Sequence, residues 1–373
     1  MSDRVVKSIS TFHWLHFSDL HFSPEVRFDT QYARARLFEF LHQERTSGCL
    51  PCDYIFFTGD IAHKGNHDGV HVFANQLFNA LCWNTFEHTF WAVGNHDISR
   101  QSILRSIVID RIRSQRDEAG LFEEFMEDPE IREVLLSKCM HKYNKCHIEI
   151  LLKDAQKNNH MTPHAKHMLK NLNLIVLNTC ITSCDGSDEH NLHIKECGLQ
   201  NVFAGLDESK PTFVIGHHGT EYFKYSDQDA IEKEFESNNV DLYLCGHAHR
   251  LGHKALSETG CYIPQITCGG GVVGSTPSKF AFIHGCYNSE EHSVLIKPYS
   301  YEGNGNKRWH PDEHLHPRLN GVSKLELRDS RTKPASIKVP VNLMMETDIG
   351  GDSAVKKDLR WSSGFFSAND EQG

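Results

Sequence analysis

A chain of 373 residues is long enough for one large α/β domain or two smaller ones with a sizeable core. A hydrophobic fraction of 39%, with 22 phenylalanines, excludes a largely disordered chain. The net charge of -10 disfavours a protein built chiefly to hold nucleic acid or an anionic membrane, because both reward a basic surface, but it leaves room for a local basic groove.

The first apolar run, Phe12-His13-Trp14-Leu15-His16-Phe17, predicts a strand, and Ser18-Asp19-Leu20-His21 is the loop leaving it. His13 and His16 lie inside the strand and are expected to be packed or edge-exposed there rather than catalytic. They interrupt the run, no small-residue cleavage site follows, and no stretch approaches the ~20 apolar residues that span a bilayer. A cytoplasmic protein without a membrane partner is therefore expected. Tyr32, Ala35, Phe38 and Leu41 form a helical stripe. Cys49 and Cys52 have CxxC spacing, but no second such pair accompanies them, so reduced and mostly buried thiols are expected for the 12 cysteines.

Tyr54-Ile55-Phe56-Phe57 reads as a strand buried on both faces and runs into Thr58-Gly59-Asp60. Val70, Phe73, Leu77 and Leu81 give the next helix, and Phe90-Trp91-Ala92-Val93 the third strand. This alternation implies βαβ units and largely parallel pairing. Residues 101–170 break the rhythm. Helical spacing of Ile103, Ile107, Val108 and Ile112, then of Leu121, Phe122, Phe125 and Met126, marks a helical, cap-like insertion, in which His141, His147, His160, His164 and His167 are expected in solvent. Arg105, Arg113 and Arg116 share one helix face there and are candidates to hold a substrate phosphate.

Strands resume at 174–177, 213–215 and 242–244. A later set at 262–267, 280–283 and 294–296 lacks intervening helices and predicts antiparallel pairing. The organisation expected is one domain over 10–300, an extension over 301–345 that packs on it, and a polar tail over 346–373. The insertion and the tail are the places where a protein partner would bind.

Five polar clusters sit immediately after strand candidates: Asp19/His21, Gly59-Asp60, Gly94-Asn95-His96-Asp97, Gly216-His217 and Gly246-His247-Ala248-His249. In open α/β sheets ligands gather at the carboxyl ends of strands. Asp, His and Asn together suit divalent Mn, Fe, Zn, Ni or Co, and there are enough of them for two ions.

In order and without a missing block, these clusters resemble the signature of the calcineurin-like metallophosphoesterase superfamily over roughly residues 12–300. The resemblance implies an α/β fold, a four-layer α/β/β/α sandwich of two mixed sheets, with a binuclear metal centre at the strand ends. By that resemblance Asp19, His21, Asp60 and His249 hold one ion, and Asp60, Asn95, His217 and His247 the other, with Asp60 bridging. Two ions ~3.5–4 Å apart would acidify a shared water into the nucleophile. His96 would face the leaving group, donating a proton or stabilising the departing oxygen, with Asp97 fixing its tautomer.

A second Gly-Asn-His-Asp string, at 65–68, has no strand before it and is expected to be a loop, with His67 beside the cleft and not a ligand. His218 and Arg250 are further candidates to meet substrate. The function implied is a metal-dependent phosphohydrolase, foremost a phosphodiesterase acting on nucleotide-type or cyclic-nucleotide diesters. A repair-type DNA nuclease, a phosphomonoesterase and, with less support, a non-catalytic scaffold stand beside it.

Overall fold

In the computed structural model, which describes residues 11–22, 28–83, 87–100, 102–114, 121–151, 163–184, 188–194, 198–256, 262–270, 280–302, 307–313 and 321–327, the apolar runs become the strands of two mixed sheets. In the first sheet β1 (Phe12–Phe17), β2 (Tyr54–Thr58) and β3 (Thr89–Ala92) pair in parallel. The second comprises β4 (Ala165–Met168), β5 (Asn173–Val176), β6 (Thr212–Ile215), β7 (Val240–Cys245), β8 (Gly252–Leu256) and β9 (Ile263–Thr267), in the order β4-β5-β6-β7-β9-β8. Back in the first sheet, β10 (Ala281–Asn288) runs antiparallel to β1 and is followed by β11 (Ser293–Glu302), which pairs with β12 (Arg308–Pro311) and β13 (Ser323–Glu326). That sheet therefore continues past residue 300, into the stretch expected to pack on the domain.

Alternation along β1 shows how the layers form. Phe12 and Trp14 point between the sheets, where they pack with Phe56, Phe213, Leu242 and Ile266, whereas Leu15 and Phe17 point at the helices of the other face. Trp14 meets Phe213 of the second sheet edge-on, with ring centroids 5.3 Å apart. On the outer face of the first sheet lie α1 (Phe28–Thr46) and α2 (Val70–Ala80). Beyond the second sheet, Leu199 and Phe203, and then Ile231 and Phe235, join its outer core. These side chains belong to the two helices that complete the four layers, α7 (Leu199–Phe203) and α8 (Tyr225–Ser237).

The helical insertion lies between β3 and β4 and consists of α3 (Ile103–Ser114), α4 (Leu121–Glu127), α5 (Pro129–Arg132), a π-helical turn (Glu133–Lys138) and α6 (His141–Leu151). Its expected apolar stripe is displaced. Ile103 and Ile107 are 80% and 60% exposed, and the buried face is Arg105, Val108, Ile109 and Ile112. The displacement has a polar cause: fully buried Arg105 donates to the carbonyls of Ser183 at 2.5 Å, Cys180 at 3.2 Å and Ile181 at 3.0 Å. Arg113 pairs with Asp188 at 2.5 Å and donates to the Thr182 carbonyl at 3.0 Å. The assignment of these two arginines to substrate is thus corrected, because both tie α3 to the 180–188 loop; Arg116 lies outside the described residues.

Other expectations also change. β9 is parallel to β7 although no helix separates them among the described residues, and the short antiparallel β8 lies beside it. The insertion ends before β4, and His164, expected in solvent, is buried with its Nδ1 accepting from Asn178 N at 3.1 Å. No disulfide joins the described cysteines; Cys49 is exposed, and the buried Cys52 thiol donates to the Tyr54 carbonyl. Among the described residues no helix is long and apolar enough to cross a membrane.

Burial holds the imidazoles of His16 and His164 neutral, each with its pKa pulled down from 6.5 to about 3. Unfolding frees both to take a proton near pH 6.5, so the unfolded chain binds more protons in mild acid and stability falls as pH drops from about 6.5 towards 3. Denaturant unfolding of His164→Gln should lose part of that pH dependence; an unchanged slope would mean that His164 is not held neutral.

Candidate metal centre

Each ligand candidate is placed by a strand that stops. β1 delivers Asp19 and His21, β2 delivers Asp60, β3 leads to Asn95, β6 ends before His217, and β7 before His247 and His249. The backbone turns sharply at these points, and five of the seven residues have left-handed φ: Asp19 at 52°, His21 at 42°, Asp60 at 53°, His247 at 67° and His249 at 51°. Non-glycine residues rarely adopt this region, and clusters of such strain accompany functional sites. Two glycines make the close approach feasible. A Cβ on Gly59, itself at φ +92°, would come within 2.6 Å of the His217 Nδ1, and one on Gly94 would collide with Asp60.

The side chains converge. Asp60 is 1% exposed, and its Oδ1 accepts from the His96 amide at 2.6 Å. That leaves Oδ2 facing His21 Nε2 at 3.7 Å on one side and His217 Nε2 at 3.4 Å on the other. Asp19 accepts from the His247 amide through Oδ2 at 2.9 Å, while its buried Oδ1 has no hydrogen-bond partner among the described residues and faces His249 Nε2 at 3.4 Å. The Nε2 atoms of His21 and His249 are 3.0 Å apart, the ligand atoms of Asp19, His21, Asp60 and His249 all lie within 4.8 Å, and His217 Nε2 is 2.9 Å from Asn95 Oδ1 and 3.3 Å from His247 Nδ1.

Acceptor atoms crowded this closely, one of them buried without a donor, fit divalent cations. Asp19, His21, Asp60 and His249 would hold one ion and Asp60, Asn95, His217 and His247 a second. The surroundings orient these ligands. His217 donates Nδ1–H to the Thr58 carbonyl at 2.8 Å, which aims its other nitrogen at Asp60. Burial alone would lower the pKa of His217, but the charge and hydrogen bond of Asp60 raise it to about 9. Burial would likewise raise that of Asp60, yet His217 and His21 hold it well below the ordinary carboxylate range.

The remaining candidates divide. His96 stands half-buried beside His21, ring centroids 4.6 Å apart, with burial pulling its pKa down to about 4. Asp97 does not orient the His96 ring, which corrects the expected pairing. Its carboxylate accepts from the amides of Ala62 and Gly94, each at 2.8 Å, so it fixes the two ligand-bearing loops against one another. Burial and the Asp60 charge push its carboxyl up to about 7.

His67 donates to the Asp97 carbonyl at 2.8 Å and belongs to a loop, so it braces the site from behind. His218, a substrate candidate from sequence, is fully buried and bonded to Thr179 Oγ1 at 3.0 Å, which removes it from the cleft lining. Its ligand nitrogen lies within 4.8 Å of those of His217 and His247. Arg250 is exposed near Tyr222. Sequence reasoning missed His63, which stacks on His96 and lies near His21. Its one sequence signal was its place three residues after Asp60.

A family described as calcineurin-like phosphoesterase matches residues 12–251. A curated relative, the uncharacterised metallophosphoesterase-like protein YydB of Bacillus subtilis (strain 168), is 25% identical over 253 residues, or 66% of this chain and 50% of its own. The chain thus spans about half the length of the curated relative it matches. Among solved structures, the purple acid phosphatase PPD1 from yellow lupin (Lupinus luteus) seeds aligns over 81% of this chain and 53% of its own, with a TM-score of 0.45 and 10% identity. Vacuolar Protein Sorting 29 from Cryptosporidium parvum aligns over 85% and 98%, with a TM-score of 0.36 and 10% identity. Because the matched segment covers more than half of the chain and contains all seven ligand candidates, the protein belongs to the calcineurin-like phosphoesterase family.

Proposed function

We propose that this protein is a metal-dependent phosphodiesterase acting on nucleotide-type or cyclic-nucleotide diesters. The observation that carries the proposal is the position of Asp60 Oδ2 between His21 Nε2 and His217 Nε2, where one carboxylate oxygen serves both halves of a ligand set. Two divalent ions bound there would supply an acidic water as nucleophile and offset charge on the phosphoryl oxygens. The chain's own part is to hold that geometry. Thr58 and the His96 amide orient His217 and Asp60, and the Asp97 carboxylate locks the loops after β2 and β3 together. Half-buried His96, beside His21 at the edge of the set and kept largely neutral by burial, faces the departing oxygen, which it stabilises through its ring N–H or protonates.

The nuclease reading loses its strongest support, since Arg105 and Arg113 spend their guanidiniums on backbone carbonyls and Asp188. The preference for diesters comes from resemblance. It is tested by turnover of an aryl monoester, an aryl diester, cyclic nucleotides, and single- and double-stranded DNA by protein loaded with Mn, Fe, Zn, Ni or Co. Turnover of the monoester alone would overturn the diester reading.

His96→Ala should keep its metals and lose about 10²–10⁴ in kcat on a diester with a poor leaving group. The loss should shrink for p-nitrophenolate, which hardly needs protonation. Equal losses on both substrates would remove His96 from the role of acid.

A further inference from the structure

His217, a candidate for the second ion, and its neighbour His218 lie on a turn whose backbone is held by a hydroxyl from another loop. Thr179, just beyond β5, is 1% exposed, and its Oγ1 accepts from the His217 amide at 3.2 Å and from the His218 amide at 3.1 Å. The same oxygen lies 3.0 Å from His218 Nδ1. A threonine oxygen has two lone pairs and one proton, and here the two amides fill the lone pairs. Its proton therefore goes to His218 Nδ1, and this imidazole carries its own proton on Nε2. In that state neither ring nitrogen has a lone pair left for a cation. His218 is thus not a ligand, although one of its nitrogens falls within 4.8 Å of ligand atoms of His217 and His247.

The turn that carries Thr179 is itself held from two sides. The Cys180 thiol donates to the Val93 carbonyl at 3.3 Å, two positions before Asn95, and the Cys180 carbonyl accepts from Arg105 of α3 at 3.2 Å. It therefore touches the loops that present Asn95 and His217, both candidates for the second ion, and leans on the helical insertion. Asp19, His21 and His249, which belong to the first ion alone, have no hydrogen bond to this turn among the described residues. Without the hydroxyl, two buried amides and an imidazole lose their partner, and the His217 turn must shift or admit water. We infer that Thr179 is a positioning residue for the second ion, and that the insertion buttresses it through Arg105 and the 179–183 turn. This rests on the metal-centre part of the phosphoesterase reading and not on the choice of substrate.

Mn binding to the whole chain tests it, by equilibrium dialysis and by the electron paramagnetic resonance signal of a coupled ion pair. The wild type is expected to take up two ions. Thr179→Val keeps the shape and removes the hydroxyl; it should weaken the second ion by about 10–100-fold and leave the first within about 3-fold. The coupled signal should then give way to that of single ions, and Thr179→Ser should recover most of the loss. His218→Asn keeps an acceptor near the place of Nδ1 and should still bind two ions; loss of one would make His218 a ligand and overturn the tautomer. Arg105→Lys should weaken the second ion less than Thr179→Val does, and no effect there would remove the insertion from the scheme. Wild-type affinity for both ions in Thr179→Val would overturn the inference. So would equal weakening of both, which a merely structural residue would give, or a wild type that binds fewer than two. A wild type that binds two ions, loses one in Thr179→Val and hydrolyses no diester would support the inference and sink only the phosphodiesterase reading.

Discussion

Replacing Asp60 with asparagine is expected to remove most activity, with kcat falling by about 10³ or more, and to weaken metal binding on both sides of the centre. The amide has the same shape but no charge, and only one of its two atoms can act as an acceptor. In the folded protein Oδ1 is taken by the His96 amide and Oδ2 faces two imidazoles, so asparagine must either leave that amide without its acceptor or turn an NH₂ towards the ligand nitrogens. Asp19→Ala should act more narrowly, because Asp19 faces His249 and the His247 amide, and should deplete one ion more than the other. Elemental analysis with parallel kinetics checks both variants. Two ions per chain and normal turnover in Asp60→Asn would refute the bridging role.

The largest expected loss of stability lies away from the centre. Arg105→Met keeps most of the volume of a fully buried side chain but strips the donors from three carbonyls of the 180–183 turn. Each buried acceptor left without a partner costs about 1–3 kcal/mol, giving a total of about 3–5 kcal/mol once the turn relaxes. Replacing buried ionic groups with apolar ones can be neutral when both partners are exchanged, but backbone carbonyls cannot be exchanged. Arg105→Lys should recover part of the loss, since an ammonium reaches fewer of the three oxygens. Equilibrium denaturation measures the difference, and wild-type stability in Arg105→Met would show that water satisfies the turn.

Arg105 also marks where sequence reading stops. The strands were legible because β1, β2, β6 and β7 are short apolar runs, and the ligands because each follows such a run. Polar residues that act far along the chain were not legible. Nothing local tells that Arg105 is buried or that Asp97 serves Ala62 rather than its neighbour His96, because those partners are 75 to 78 and 35 positions away. α8 escaped notice because its inner face consists of Ile231 and Phe235 with Asp227, too sparse a stripe to stand out. His63 was passed over because a histidine in a polar loop has no period to give it away.

The left-handed backbone at Asp19, His21, Asp60, His247 and His249 limits how this protein can be improved. Glycine is the residue that relieves such a conformation, and elsewhere that exchange is an ordinary route to a more comfortable loop. At these five positions the same exchange deletes a ligand. Mutational searches for thermostability should therefore find their gains in the helices and outer surfaces, and any gain that maps to these strand ends should come with loss of the metals.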